Sequence, residues 1–254
     1  MTGSPLENAA QDPRIGPVLG TFINGAALVL GAMAGLAKGW NLSPENQRRA
    51  RLTLAGLAVL TGLSAVWRAL PPHWGASARL LIEALVAWSL GTVAGKALGL
   101  QKGLSRMVAL ASRDRAKPAS DAPSSSGFAM EAVVFAANPL GLAGAVLEGW
   151  TGDWRPLALK SALDVLAALG FTAAGSRTVA LAVLPVLAVE GTLTLGGQWL
   201  SGVVLAPGPS AAFGVCTGFL VLSCAPVVMG IRKVPLANSL PALVLAPLLA
   251  ALWP

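Results

Sequence analysis

The sequence predicts an all-α membrane protein, a polytopic bundle of about eight transmembrane helices. Three observations carry that reading. Of its 254 residues, 55% are hydrophobic and only 11% are charged, whereas a soluble domain carries about 25% charged residues. Long stretches hold no charge at all: 15–37 is one, and about 20 such residues cross a bilayer. Most of the tryptophans, Trp40, Trp67, Trp74, Trp150 and Trp199 among them, fall near the ends of such stretches, where amphipathic rings settle at the membrane–water interface.

Eight segments qualify as spans: 15–37, 52–68, 79–97, 128–149, 157–175, 178–200, 209–230 and 236–253. The first reads as a span and not a cleaved leader. Glu7 and Asp12 precede it where a signal peptide is positive, and its apolar run is too long. The second is short. In the fourth, Pro139 cannot donate to the carbonyl of Phe135, so that span should kink or open there. The eighth contains Pro241 and Pro247, which leaves seven spans plus a half-helix as the alternative count. Between the third and fourth spans the character changes. Leu100–Ala111 mixes basic and apolar residues at helical spacing, which suits a short helix lying on the membrane surface. Ser112–Gly127 is rich in Pro, Ser and Ala and reads as a flexible linker. The chain thus divides into a tail 1–14, a first half 15–99, the 100–127 segment and a second half 128–254.

The net charge of +7 is spread over the connections between spans, so it signals topology and not nucleic-acid binding. With the N-terminus outside, the outer connections hold Arg14, Arg68, Arg79, Arg155 and Lys160, and the other thirteen of the 18 Lys and Arg residues fall inside. That bias orients both termini outward. Cys216 and Cys224 stand eight residues apart, roughly 12 Å along a helix and too far for a disulfide; both read as core residues. His73 is alone beside Trp74. The chain holds no histidine cluster, nucleophile elbow, phosphate-binding loop or Cys/His pair, so neither a cofactor, a metal nor an enzymatic activity is expected.

The two halves share short recurrences. Asn24–Trp40 ("NGAALVLGAMAGLAKGW") and Asn138–Trp150 ("NPLGLAGAVLEGW") both open on Asn and close on Gly-Trp, and Gly-Thr recurs at Gly91-Thr92 and Gly191-Thr192. Three spans per half is an odd number, so a second copy would enter the membrane upside down. That is the inverted repeat of transporter folds, whose substrate sits where the repeats meet. Chance similarity in a chain so rich in Gly, Ala and Leu is the alternative.

Ionisable residues inside a span cost roughly 2.5–3.5 kcal/mol to insert near the centre and tend to be functional. Glu83 and Glu131 sit in the first turns of their spans, where a carboxylate reaches the interface and the helix dipole favours it. Lys160 is shallow enough to snorkel. Asp164 lies about two turns into the fifth span, and Glu190 near the middle of the sixth. Lys160 and Asp164 share one face at i,i+4, as a structural ion pair or as part of a solute path. Asn24 and Asn138 lie near the centres of corresponding spans, as interhelical glue or as site residues beside freed backbone carbonyls. With Thr192 these six residues are the path candidates. The partners implied are the bilayer and a small solute or ion, with a homo-oligomer left open.

Three blocks resemble a known family: "GTFINGAALVLGAMAGL" from Gly20, "GAVLEGWTGDWRPLALKSALDVLAAL" from Gly144, and "LPVLAVEGTLTL" from Leu184 followed by "IRKVPLANSLPALVLAPLLA" from Ile231. They are similar to the uncharacterised prokaryotic membrane family designated domain of unknown function 554, with its YqgA- and YdfK-like members. The resemblance implies a multi-pass protein of the prokaryotic inner membrane and brings no activity with it. The chain departs from the family's pattern at Asn138-Pro139-Leu140, at Glu190 and near Ala225–Val227. On the residues alone, the function expected is a secondary transporter or channel for a small solute or ion; the alternative is a membrane sensor or assembly partner that carries nothing.

Overall fold

A computed structural model describes residues 18–37, 43–113, 125–203 and 207–252. The 1–14 tail and most of the expected linker lie outside the described residues. The described residues form the helices α1 (Leu19–Leu36), α2 (Pro44–Ala69), α3 (Trp74–Ala97), α4 (Leu100–Arg113), α5 (Ser125–Ala136), α6 (Pro139–Thr151), α7 (Arg155–Ala173), α8 (Val183–Val203), α9 (Pro207–Val228) and α10 (Leu240–Leu252). Tight 3-10 turns at Val179–Ala182 and Leu236–Ser239 precede α8 and α10.

Six of these, α1, α2, α3, α7, α8 with its leading turn, and α9, are long and apolar enough to cross a membrane. The expected fourth span is two helices, α5 and α6, bent 51° apart. The break falls where Pro139 withholds its amide. The eighth run, Leu236–Leu252 with its leading turn, is too short to count as a span; α10 alone has 13 residues, about 20 Å of helix against a hydrocarbon core of about 30 Å. Among the described residues, six helices, or seven spans if the bent α5–α6 pair is one, and a short apolar helix are therefore the count. Pro241 lies in the first turn of α10, where a missing amide costs nothing, so it starts the helix. The second span is longer than expected. Ser43 caps it by accepting the Asn46 amide at 3.3 Å, Pro44 opens it, and Glu45 pairs with Arg49 at 3.0 Å. Arg48, Arg49 and Arg51 thus ride on an extension of α2.

The two halves interlock. The most extensive pairings are α1 with α7, α2 with α9, α6 with α8 and α3 with α10. Small residues set these approaches, as in membrane bundles generally. A Cβ on Gly31 of α1 would stand 2.8 Å from the Val165 carbonyl oxygen of α7, and Cβ atoms on Gly62 of α2 and Gly218 of α9 would each stand 2.9 Å from the other's carbonyl oxygen. The largest core cluster mixes the halves as well, with Leu80 and Ala84 of α3 beside Ala143 and Leu147 of α6 and Phe213 of α9. The two halves differ in how their helices pair. α6 packs along α8, while α1 and α3 take their extensive contacts from α7 and α10.

Helix α6 occupies the middle. Ten of its 13 residues are buried, from Pro139 to Trp150, and a helix buried all round has no lipid-facing side. Large apolar side chains such as Leu30, Leu60, Val93 and Leu195 point outward on the surrounding helices. Helix α4 is amphipathic, with Leu104, Val108 and Ala111 half-buried and Lys102 and Arg106 exposed. Its Gln101 amide donates to Asn238 Oδ1 at 3.0 Å, and Gln101 Oε1 accepts the Ala237 amide at 3.2 Å, which ties α4 to the turn before α10.

Candidate functional site

The break in the fourth span places its own residues. Asn138 is extended, and its Oδ1 accepts the Leu140 amide at 3.0 Å. It is the N-cap of α6, with Pro139 at the first helical position. The Asn138 side chain is thereby used locally. Three residues on, Gly141 faces the ionisable residues of α7 and α8. A Cβ there would meet Glu190 Oε1 and Lys160 Cε, each at 2.6 Å.

Lys160 and Asp164 form a hydrogen-bonded ion pair along one face of α7. Lys160 Nζ also reaches Glu190 Oε1 of α8 at 3.1 Å. From α1, Asn24 Nδ2 donates to Glu190 Oε1 at 3.1 Å and Oε2 at 3.0 Å. Lys160, Glu190 and Asn24 are 0% exposed and Asp164 is 3% exposed. Lys160 therefore does not snorkel: the two carboxylates hold its ammonium inside the bundle. Of the six path candidates, the structure brings these four together.

A second polar layer lies one helical turn away. Thr21 precedes Asn24 by three residues on α1, and Thr194 follows Glu190 by four on α8, so each pair shares a helix face. Glu148 of α6 accepts the amide of Gly20, the amide of Thr21 at 3.2 Å and the Thr21 hydroxyl at 3.1 Å. The hydroxyls of Thr21 and Thr194 lie 3.0 Å apart. Gly20 and Thr21 are in the first turn of α1, whose N-cap Val18 offers no side-chain acceptor. Glu148 supplies the missing cap and places its negative charge at the positive end of the α1 dipole.

Thr192 is not part of either layer. It is exposed, and its hydroxyl donates to the Ala188 carbonyl of its own helix at 2.6 Å. Two residues from Glu190 is more than half a turn around α8, whereas four residues, at Thr194, returns to the same face. Glu148 has no place in the sequence-derived set, although one carboxylate inside the apolar run of α6 was a readable signal. Glu131 is held by the connection between α7 and the turn before α8. It is fully buried and accepts the hydroxyls of Ser176 and of Thr178, the latter at 2.7 Å. Glu83 is buried against Arg79 at 2.7 Å.

Beyond the C-terminal end of α6 a separate cavity of about 940 Å³ opens between α2, α3 and α9. Ala65, Leu80, Leu147 and Gly214 form part of its apolar wall, and Arg68, Arg79, Glu83 and Asp153 bring charge to it. Asp153 follows Gly152, whose left-handed backbone at φ 76° lets the chain turn tightly from α6 into α7. Burial pushes the Asp153 carboxyl above its ordinary range, and nearby Arg68 pulls it partly back. Among the described residues, no group of three or more His, Cys, Asp or Glu side chains is placed to hold a metal ion.

Apolar spans around a buried, broken central helix with ion pairs at its flank define a multi-pass helical membrane protein. The chain belongs to the family described as "Protein of unknown function (DUF554)", which matches residues 19–251. It is 32% identical over 244 residues to the "Uncharacterized protein YqgA" of Escherichia coli strain K12, across 93% of this chain and 97% of that relative. No solved structure matches it.

Proposed function

We propose that this protein moves a small solute or ion across the prokaryotic inner membrane. One observation carries the proposal: Lys160, Asp164 and Glu190, on two spans, meet Asn24 of a third inside the bundle, beside the broken fourth span. A purely structural cluster is expensive in a membrane, because apolar side chains fill the same volume at lower cost. Discontinuous helices beside buried charge are how transporters build midplane sites. Asp164, Glu190, Lys160 and Asn24 are the path residues in this reading. The N-terminus faces outward and 114–124 inward, in keeping with the Lys/Arg bias, and cysteine labelling of 114–124 from the outer face of intact cells tests that orientation.

The experiment is flux. Purified protein in proteoliposomes is loaded with mixed small ions and metabolites, and leakage is followed for the native protein and for Asp164→Asn. Full flux in a well-folded Asp164→Asn protein removes the functional reading of the pair. A second reading is a membrane sensor or assembly partner that carries nothing. It draws on Glu148, a buried charge already accounted for as a helix cap. Native protein that folds and moves nothing favours it.

A further inference from the structure

The Lys160 cluster is one positive charge short. Two carboxylates, Asp164 and Glu190, share one ammonium, and Lys160 is the only buried basic side chain among the described residues. The nearby Glu148 adds no relief, since its own charge is met by the first amides of α1. A second observation is independent of the charge count. Asn24 gives both of its contacts with Glu190 through Nδ2, and its Oδ1 is buried with no hydrogen-bond partner. A buried acceptor without a donor is destabilising. An excess negative charge lies beside an amide whose acceptor is idle: a hydrogen on Glu190 removes the charge and, once the amide turns, gives Oδ1 a donor while Nδ2 moves to the side Oδ1 leaves.

We propose that the cluster binds a single proton, carried on Glu190. The Glu190 carboxylate takes H⁺ from water and becomes a carboxylic acid: one O–H bond forms and no other bond changes. The Asn24 amide turns by half a revolution, so that Oδ1 accepts the new O–H. Lys160 and Asp164 are left as a neutral pair. Release reverses each step. Space argues for a proton over a metal ion, because even a methyl group on Gly141 would collide with Glu190 and Lys160. The groups that set the affinity come from every helix around Glu190. They are Lys160 and Asp164 on α7, Asn24 on α1, Glu148 on α6 and Thr194 on α8; Glu131 on α5 is held by Ser176 and Thr178. The inference rests on the transport reading for the use of the proton and not for its binding.

Infrared difference spectra of the purified protein, acid minus alkaline, test it. The expected result is a protonated-carboxyl band, beyond those of other carboxyls such as Asp153, that vanishes in Glu190→Gln and shifts in Asn24→Leu, where the acceptor is gone. A Glu190→Gln spectrum that loses no carboxyl band of the native protein overturns the proposal. Should Glu190→Gln fail to fold, an unshifted band in Asn24→Leu overturns it equally. Stabilisation by sodium chloride over choline chloride, with no such band, assigns the vacancy to a sodium ion and also overturns it. Vesicles loaded with a pH dye separate the two claims. A band without proton movement sinks the transport reading alone, and solute movement without a band sinks the proton alone.

Discussion

Glu148 caps a helix to which it does not belong. Its carboxylate accepts the amides of Gly20 and Thr21, which precede it by 128 and 127 residues. Inside a membrane no water can take its place, so those amides depend on it. Glu148→Ala leaves two amides and a hydroxyl without an acceptor and is expected to cost about 2 kcal/mol or more. Glu148→Gln keeps an acceptor but loses the charge facing the dipole, a smaller loss of about 1 kcal/mol. Thermal unfolding in detergent, followed by far-ultraviolet circular dichroism, should rank native above Gln above Ala.

The Lys160 cluster gives a ranking of its own. Lys160→Met strands two buried carboxylates together and should be the most damaging single change there, at about 3–5 kcal/mol. Asp164→Asn leaves the ammonium with Glu190 as its remaining partner and should cost less. Neutralising all three, as Lys160→Met with Asp164→Asn and Glu190→Gln, should recover much of the lost stability. A triple variant as unstable as Lys160→Met alone would contradict the charge argument.

How far the sequence foretold this site depended on the distance between partners. The Lys160–Asp164 pair lies within one helical turn, so i,i+4 spacing exposed it. The kink at Pro139 follows from one missing amide, which is also local. Convergence of Glu190 and Asn24 on that pair needs three helices in one arrangement, and periodicity carries no information about which helices touch. Glu148 hid for the same reason, since the amides it serves belong to α1. Thr192 was misplaced because its dipeptide recurrence with Gly191 said nothing about the face it occupies, which the 100° step of the helix decides. The eighth segment's prolines left seven spans and a half-helix open, and its length decides for the shorter helix.

Gly141 is the spacer between the central helix and the charges. Gly141→Ala forces a methyl group to 2.6 Å from Glu190 Oε1 and Lys160 Cε, and overpacking of that kind costs about 1–3 kcal/mol. Gly56→Ala is the control. It lies within α2 with nothing near its missing Cβ, so the same substitution should stabilise by up to about 1 kcal/mol. Melting temperatures moving in opposite directions would confirm that the space beside α6 matters, and equal shifts would refute it.

Asp153 predicts a pH dependence at the turn outside the spans. Its carboxyl is raised in the folded protein by burial, so the folded state holds the proton more tightly than the unfolded chain. Its contribution to stability is then full below the ordinary carboxylate range and is lost as pH rises through the raised value. Asp153→Asn should flatten that part of the stability profile. Arg68→Ala removes the charge that draws the carboxyl back and should steepen it. Melting curves across the acidic range read both slopes.

The pairing of α1 with α7 and of α2 with α9 also sets an order for biogenesis. When α1 leaves the ribosome it brings Asn24 and two uncapped amides, and the residues that satisfy them emerge more than a hundred positions later. Until α6, α7 and α8 are threaded into the bilayer, the early helices must wait beside the insertion machinery or a chaperone. Lys160 and Asp164 can enter as a pair, but Glu190 follows on a separate helix and must find them laterally. A gene cut within 114–124 should therefore yield two fragments that are each degraded when made alone and that rescue one another when made together.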